Sequence, residues 1–472
     1  MKDYPLLQKA YNFDDFEQSG KQLVEQLSGY LQGQQLDESP ANNWQAPEKE
    51  LNFWQNYQFN DIKSFVDDLL NHSIHVHNPK YMGHQVAVTA PLSVLSNLLS
   101  GLLNNGMAVY EMGQAATTIE KCVVGLFCQK IGYGEMANGV MTSGGTLASL
   151  TALLAARQAL KDCDIWQEGD NEKLAVLVSN QAHYCIDRAA RVMGLGNKGV
   201  VLVPVDDGFA MDNMALEKSF QDTVDSGFKV IAIVGSACST STGIYDDLEY
   251  IADFCHKNKV WFHVDGAHGG AVVFSRKHKD LVKGIEKADS VIIDTHKMMM
   301  TPALSTVLAF KDKKLGAQTF VQKAHYLFED NHLDEQWFNA GLRTFECTKL
   351  MMCLKFYLLW KFYGIEIFEE NIDCLYGLGQ IFAEIINQNS HFELALKPQT
   401  NIVCFRYIKQ GLTEEQTNYL NKTIRQTLLE DNQFYIVQTS LNNQVFLRVT
   451  LMNPMTKKHH LQLLLDKILL IV

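Results

Sequence analysis

The sequence predicts an α/β protein whose sheet is mainly parallel and is covered by helices on both faces. Its 472 residues are 47% hydrophobic and 20% charged, which is typical of a globular chain long enough for two or three domains. Six short apolar runs lie between residues 174 and 310, and helical stretches separate several of them. Nearly continuous apolar strands of this kind are typical of a parallel sheet that is buried on both faces.

The first predicted segment, residues 1–75, is helical. Leu23, Leu27 and Leu31 recur at the spacing of one helix face, which indicates an amphipathic helix. Pro40 and Pro47 are expected to break this region, because proline lacks the N–H group that a helix interior needs. We therefore expect an N-terminal helical segment ahead of the main sheet.

The second predicted segment, residues 76–345, is the large domain that carries the sheet. Its strands are expected at residues 174–180, 200–206, 230–235, 260–265, 290–294 and 305–310. Helices are expected at residues 146–160, 182–193 and 247–258. The third segment, residues 346–472, is expected to be a small α+β domain. It has a long helical stretch to about residue 387, strands at 400–408, 434–438 and 445–451, and a final helix.

Charge and cysteine content narrow the class of protein. The formal net charge of −12 disfavours nucleic-acid binding, which normally needs a basic face. None of the ten cysteines stands in a CxxC pair, so neither a zinc ribbon nor a thioredoxin-type site is expected, and no metal is predicted. The first residues lack the apolar core of a signal peptide, and the apolar runs are too short to cross a bilayer. We expect a cytoplasmic protein that binds no membrane.

Ligands of an open α/β sheet bind outside the carboxyl ends of its strands, so polar residues at those ends are candidates for chemistry. The first cluster is Thr142, Ser143, Gly144 and Gly145, which open the helix that runs to residue 160. Glycines allow close backbone approach, and N–H groups at a helix start suit a phosphate. Plain capping of the helix is the simpler interpretation of this cluster alone.

Two further clusters follow along the chain. His183 comes three residues after a predicted strand, where its flat ring suits stacking on an aromatic cofactor, although a surface histidine is the simpler interpretation. Asp265 ends the apolar strand 260–265. A buried acid is costly unless a cation pairs with it, and a protonated pyridine nitrogen would be such a partner. The alternative is an aspartate that caps the next turn.

The fourth cluster is Lys297, which follows the apolar strand 290–294 and precedes three methionines. Desolvation lowers the pKa of a lysine and makes a nucleophilic amine plausible, whereas a lone lysine at a strand end is usually a surface residue. A segment suited to phosphate, a histidine suited to stacking on a ring, an acid and a lysine thus occur in this order at successive strand ends. These are the parts that a pyridoxal phosphate site needs.

At residues 263–267 (HVDGA) and 295–297 (THK) the sequence resembles the group II pyridoxal-phosphate amino-acid decarboxylases, and the likeness extends from about residue 78 to residue 454. The resemblance implies an aspartate-aminotransferase-like fold of type I, the PLP-dependent transferase fold, with a seven-stranded sheet. It also implies a homodimer with active sites at the subunit interface, and pyridoxal 5′-phosphate as the cofactor.

The resemblance implies a role for each site residue. Lys297 would hold the cofactor, Asp265 would pair with the ring nitrogen, and His183 and Ala267 would flank the ring. The residues at positions that contact the phosphate or the ring hydroxyl are Thr142, Ser143, Asp294, His296 and Thr240.

Asp294 departs from the family pattern, which has asparagine there. An anion beside a phosphate repels it unless the acid is protonated or turned away. Arg448 matches the arginine that relatives use for the substrate α-carboxylate, and its surroundings match the branch that acts on acidic substrates. Gln85 lies in a segment that helps to line the substrate pocket.

The return of a proton to the substrate α-carbon is the step for which a family residue is missing. Relatives use a tyrosine on a loop between the cofactor lysine and the C-terminal domain. Residues 328–339 match that loop and contain no tyrosine. His332, with an ordinary pKa near ~6.5, is the expected general acid, unless the partner subunit supplies the proton.

The resemblance therefore predicts decarboxylation of an L-amino acid to an amine and carbon dioxide. A small acidic or diamino acid is expected, such as aspartate, glutamate, cysteine sulfinate or 2,4-diaminobutyrate. Three alternatives remain open at this point: decarboxylation-dependent oxidative deamination to an aldehyde, transamination, and a non-catalytic dimer of the same fold.

Overall fold

The computed structural model describes residues 4–160, 165–317, 319–320 and 337–472. The chain forms two compact units. Unit 1 comprises Met1–His84, Glu384–Ala395 and Phe405–Val472, and unit 2 comprises Gln85–Ala383 and Leu396–Cys404. The domain boundaries expected near residues 75 and 345 stay a prediction.

The N-terminal part of unit 1 is helical, as expected. Its helices are α1 (Pro5–Ala10), α2 (Phe13–Gly33), α3 (Pro47–Gln55) and α4 (Ile62–Asn71). The side chain of Asn12 caps α2 by accepting from Asp14 N–H, and Asp61 caps α4 in the same way. Pro47 does not break a helix. It begins α3, where its missing N–H is harmless because the first turn has no partner for that group.

Unit 2 carries the predicted seven-stranded sheet. The strands are β1 (Asn138–Thr142), β2 (Leu174–Ser179), β3 (Val200–Val203), β4 (Lys229–Ser236), β5 (Trp261–Asp265), β6 (Ser290–Asp294) and β7 (Thr306–Phe310). Their order is β1-β7-β6-β5-β4-β2-β3. Strands β2 to β6 pair in parallel, and β7 is antiparallel to both β6 and β1. The expectation of a mainly parallel sheet is confirmed.

Strand β1 was not expected from the sequence, and Gly139 explains why. A Cβ atom at this position would lie 2.1 Å from the carbonyl oxygen of Leu308 on β7. Only glycine permits this approach of the two backbones, although glycine weakens a strand and hides it from pattern analysis.

The helices of unit 2 are α5 (Pro91–Leu103), α6 (Gln114–Ile131), α7 (Gly145–Ala159), α8 (Ile165–Glu168), α9 (Cys185–Val192), α10 (Asn213–Asp225), α11 (Leu248–Asn258), α12 (Lys313–Ala317), α13 (Cys353–Tyr363) and α14 (Glu366–Asn387), the last of which ends in unit 1. Helices α6, α7, α10, α11 and α12 pack against this sheet, and the other helices of the unit follow or precede them along the chain. The helical stretch expected after residue 344 is two helices, because Gly364 adopts a φ of 85° and ends the first. Fully buried alanines of α7, such as Ala148, Ala152 and Ala156, let the helix approach the sheet.

A second sheet has four strands: β8 (Phe392–Leu394), β9 (Ile402–Tyr407), β10 (Val437–Leu441) and β11 (Gln444–Thr450), in the order β10-β11-β9-β8. Two helices accompany it, α15 (Glu414–Asp431) and α16 (Lys458–Ile471). Strand β10 starts three residues later than expected, because Tyr435 instead forms a β-bridge with Tyr81. At its other end Asn442 and Asn443 take positive φ angles and form the tight turn to β11. No helix among the described residues is long and apolar enough to span a membrane.

A buried ion pair in unit 2 holds the end of β1. Lys349 Nζ donates to Glu120 Oε1 and to the carbonyl oxygen of Met141, and Met141 N–H donates to the same Glu120 oxygen. Both charged residues are buried. Because the pair anchors Met141, it also positions the two residues that follow, Thr142 and Ser143.

We expect Lys349→Met to lower the free energy of unfolding by about 3–5 kcal/mol, because Glu120 would remain as a buried and unpaired charge. The double variant Glu120→Gln/Lys349→Met should regain much of this loss. Urea denaturation of the three proteins measures the difference. Equal losses in the single and double variants would show that packing, and not charge, is responsible.

Candidate active site

A cavity of about 360 Å³ lies in unit 2 at the carboxyl ends of β1, β4, β5 and β6. This is the edge of the sheet where the sequence predicts the ligand site. The residues expected from the sequence that line the cavity are Ser143, His183, Thr240, Asp265, Ala267, Asp294, His296 and Lys297. Five separate stretches of chain therefore meet around one space.

The segment between β1 and α7 forms one wall of the cavity. Gly144 has a φ of 127°, which side-chain-bearing residues rarely adopt, and Gly145 begins α7 without a capping side chain. A Cβ atom on Gly145 would lie 3.3 Å from Asp294 Oδ1, so the glycine keeps this wall open. Backbone N–H groups at the start of a helix bind anions such as phosphate, and this segment fits that purpose.

Two hydroxyl groups of this segment differ in position. Ser143 lines the cavity, and its Oγ donates to Glu346 Oε1 at 2.7 Å. Thr142 is fully buried, does not line the cavity, and donates from Oγ1 to the carbonyl oxygen of Gly144 at 3.1 Å. The phosphate contact expected for Thr142 stays a prediction. Glu346 was not identified from the sequence, which gives no sign that it meets Ser143.

Asp265 ends β5 and is buried. Its Oδ1 accepts from the N–H of Ala267 at 3.2 Å, and the Cys185 thiol contacts its Oδ2 at 3.8 Å. Burial raises the pKa of the Cys185 thiol well above its ordinary value, so the thiol stays neutral and is able to donate. The sequence analysis missed Cys185, although its place two residues after His183 was a usable signal.

His183 lies between β2 and α9, and its Nδ1 accepts from the backbone N–H of Cys185 at 3.3 Å. This bond places the proton of a neutral imidazole on Nε2. Burial lowers the pKa of His183, and this effect outweighs the opposing charge of Asp265. The ring is therefore neutral near pH 7.

Lys297 forms an ion pair inside the cavity. Its Nζ lies 3.0 Å from Asp294 Oδ2, and Thr306 Oγ1 donates to Asp294 Oδ1. Asp294 is almost fully buried, while 18% of the Lys297 side chain is exposed. The acid is thus neither protonated nor turned away, because its charge is balanced by the lysine and not by a change of position.

The expected lowering of the Lys297 pKa is wrong for this site. Burial does lower it, as the sequence suggested, but the negative charges of Asp294 and Asp265 more than offset burial, and the pKa is raised. The pKa of Asp294 is correspondingly lowered, since Lys297 and His296 together outweigh its own burial. Local sequence indicates burial but does not reveal which charges face the amine.

Two further expected residues, Arg448 and Gln85, do not line this cavity. Arg448 lies on β11 in unit 1 and is 8% exposed. Gln85 is the first residue of unit 2, is half-buried, and does not line the cavity. His332 falls outside the described residues. The last residues of the expected loop are described, and Phe338 packs edge-on against Tyr110 at a ring distance of 5.5 Å.

Residues that the sequence analysis did not single out complete the lining. They are Thr146, Tyr184, Cys185, Ser236, Cys238, His268, Ile292 and Leu304. Ser236 and Ile292 belong to strands that were correctly predicted. These two side chains have no chemical signature in the sequence, so only the folded chain shows that they face the cavity.

Comparison with known proteins identifies relatives across the chain. The family described as "Pyridoxal-dependent decarboxylase conserved domain" matches residues 36–408. An L-aspartate decarboxylase of Metarhizium robertsii is 31% identical, covering 74% of this chain and 70% of the relative. An aromatic-L-amino-acid decarboxylase of Bacillus atrophaeus is 26% identical, covering 95% and 90%.

Among solved structures, the glutamate decarboxylase domain of diaminobutyrate-pyruvate transaminase and L-2,4-diaminobutyrate decarboxylase from Vibrio parahaemolyticus aligns with a TM-score of 0.84. It is 26% identical, and the alignment covers 96% of this chain and 94% of that one.

Proposed function

Because this chain belongs to the pyridoxal-dependent decarboxylase family and is a carboxy-lyase that acts on an amino acid, we propose that Lys297 holds its cofactor and that its substrate is an acidic L-amino acid. The observation that carries the cofactor assignment is the single cavity that brings Lys297, Asp265 and the Ser143–Gly145 segment together. Among the described residues that line the cavity, Lys297 is the only lysine, and Asp265 and Asp294 are the acids at its strand ends.

The donor set of the cavity fits pyridoxal 5′-phosphate. The start of α7 and Ser143 would hold the phosphate, and Asp265 would keep the ring nitrogen protonated. The bound cofactor supplies an electron sink for the carbanion that loss of carbon dioxide leaves. Ala267 N–H and the Cys185 thiol orient the Asp265 carboxylate, and the neutral ring of His183 is suited to stack against an aromatic ring.

The acidic class of substrate is proposed from Arg448, which matches the arginine that relatives use for the substrate α-carboxylate and whose surroundings match the branch that acts on acidic substrates. Arg448 is buried on β11, and a guanidinium is well shaped for bidentate binding of a carboxylate. The aspartate decarboxylase is the more identical of the two relatives reported above, in agreement with this choice.

Return of the proton to the α-carbon is assigned to His332, since residues 328–339 contain no tyrosine. An imidazole titrates close to neutral pH and suits general acid catalysis. If the proton arrives slowly, oxygen intercepts the carbanion and aldehyde replaces amine. Amine and hydrogen peroxide assays therefore accompany every activity measurement below, and peroxide formed in step with substrate loss would contradict simple decarboxylation.

Replacing Lys297 tests the cofactor assignment. We expect Lys297→Ala to abolish turnover and to remove the visible absorbance of lysine-bound cofactor, because alanine has no amine to condense with the aldehyde. Spectra and carbon dioxide release measure both effects. Lys311→Ala, at an exposed lysine of the same unit, serves as the control and should keep both. Normal activity in Lys297→Ala would refute the assignment.

Replacing Arg448 tests its role in binding the substrate α-carboxylate. A guanidinium binds a carboxylate through two parallel hydrogen bonds that a lysine is unable to reproduce. We expect Arg448→Lys to raise the KM for aspartate or glutamate about tenfold, equivalent to about 1.4 kcal/mol, with cofactor affinity unchanged.

Arg406 is the matched control for this experiment. It lies on β9 of the same sheet and is equally buried, and its guanidinium is paired with Glu393 and Glu414. Arg406→Lys should therefore change stability and leave KM unaltered. The wild-type enzyme is assayed against acidic, diamino and aromatic amino acids, and faster turnover of 2,4-diaminobutyrate or an aromatic substrate would contradict the acidic class.

We also propose that the enzyme is a homodimer and that it acts in the cytoplasm. Helix α5 supports the dimer because its polarity is inverted. Ser93 and Ser96 are buried, and Ser93 Oγ donates to the carbonyl oxygen of Lys355. The residues on its outer side, each 39–67% exposed, are Val94, Leu95, Leu98, Leu99, Leu102 and Leu103. An apolar patch of this size on one helix is typical of an interface, and a second copy of the chain is the proposed partner.

Charge placed on α5 tests the dimer. We expect Leu98→Glu/Leu102→Glu to halve the mass seen by light scattering, because two carboxylates would be buried without partners. The control is Met214→Glu, which changes a single, 83% exposed residue of α10 and should leave the mass unchanged. A dimer that survives the double variant would place the interface elsewhere.

A further inference from the structure

The protonation state of Lys297 is unsuited to the uptake of an aldehyde cofactor. An amine attacks an aldehyde only through the lone pair of its neutral form. In this cavity Lys297 is held as an ammonium, because Asp294 Oδ2 lies 3.0 Å from its Nζ and the pKa of the lysine is raised despite burial. A proton must therefore leave Nζ before Lys297 is able to take up the cofactor.

The charged and titratable groups around Lys297 differ in their capacity to receive that proton. They are Asp294 on β6, Asp265 on β5, His183 and Cys185 at the start of α9, Cys238 after β4, His268 after β5, and His296 beside the lysine. Asp265 influences the amine through its charge, but its oxygens face Ala267 N–H and the Cys185 thiol.

Asp294 is arranged so that one oxygen is available to the amine. Thr306 Oγ1 donates to Oδ1 and fixes the carboxylate, which leaves Oδ2 directed at Lys297 Nζ. His296 Nε2 lies farther from the same oxygen, at 3.7 Å. The carboxylate is buried, so solvent has little part in the exchange between acid and amine.

We propose that Asp294 is the internal proton acceptor that frees the Lys297 amine for cofactor uptake. The inference rests on the proposed role of Lys297. One N–H bond of the ammonium breaks and one O–H bond forms on Asp294 Oδ2. The freed electron pair of Nζ then forms the carbon–nitrogen bond. The aldehyde oxygen leaves as water, and both of its hydrogens come from the amine.

This proton transfer has a consequence for pH dependence. The ion pair and the neutral pair of acid and amine contain the same number of protons, so their ratio does not change with pH. Uptake by the wild-type protein should therefore be nearly independent of pH between the pKa values of the two groups. Without the acid, the lysine must lose its proton to solvent, and uptake rises about tenfold per pH unit below the lysine pKa.

The experiment follows cofactor uptake by cofactor-free full-length protein in a stopped-flow spectrometer from about pH 6 to about pH 8. We expect a flat profile for the wild type and a rise of about tenfold per pH unit for Asp294→Asn. Asparagine retains the shape of aspartate and its acceptor for Thr306. Binding of pyridoxine 5′-phosphate, which has an alcohol in place of the aldehyde, corrects for titration of the ligand itself and reports whether each variant is folded.

Two matched variants separate proton transfer from simple charge. Glu346→Gln removes a carboxylate that contacts Ser143 and not Lys297, so its profile should stay flat. Thr306→Val retains the Asp294 carboxylate and should also stay flat, even if the rate changes. Matching profiles for Asp294→Asn and the wild type would overturn the inference, and so would a sloping profile for Glu346→Gln. Retention of lysine-bound absorbance in Lys297→Ala would instead overturn the assignment of the lysine, which keeps the two failures distinct.

Discussion

The structure depends on how it places charged residues at the ends of buried strands. β5 and β6 are buried along their whole length, they pair in parallel, and each ends in an aspartate. A buried carboxylate is tolerated only with hydrogen bonds or a cation. Asp294 has Lys297 and Thr306, whereas Asp265 has one backbone N–H and a thiol, which leaves it suited to a cationic ligand.

The electrostatic character of the cavity follows from these partners. His183 and Cys185 are kept neutral by burial, whereas the negative charges of Asp294 and Asp265 both act on Lys297 and raise its pKa. Lys297 and His296 in turn lower the pKa of Asp294. A ligand with a cationic ring nitrogen would neutralise the buried charge of Asp265. The carboxylate therefore costs free energy when no cation is near it, and becomes useful when a cofactor supplies one.

On the surface of unit 2, helix α5 buries polar side chains and exposes apolar ones. On α5 the serines are inside, where Ser93 finds a carbonyl acceptor, and the leucines are outside. Polar groups are inexpensive to bury when they are hydrogen-bonded, whereas a row of exposed leucines costs free energy until another surface covers it. Burial of the α5 leucines by a second copy of the chain would therefore stabilise the protein as well as assemble it.

The sequence by itself determined the main elements and the order of the chemical groups. Nearly continuous apolar runs located β2 to β7 to within a few residues. The polar residues that follow several of these strands were correctly predicted to lie at one edge of the sheet, because parallel strands all end there. Tertiary structure alone decided the partners. Cys185 meets Asp265 across 80 residues, and Glu346 meets Ser143 across 203. It also decided the direction of the Lys297 pKa, because folding directs Asp294, three residues away, at the amine and brings Asp265 from the neighbouring strand.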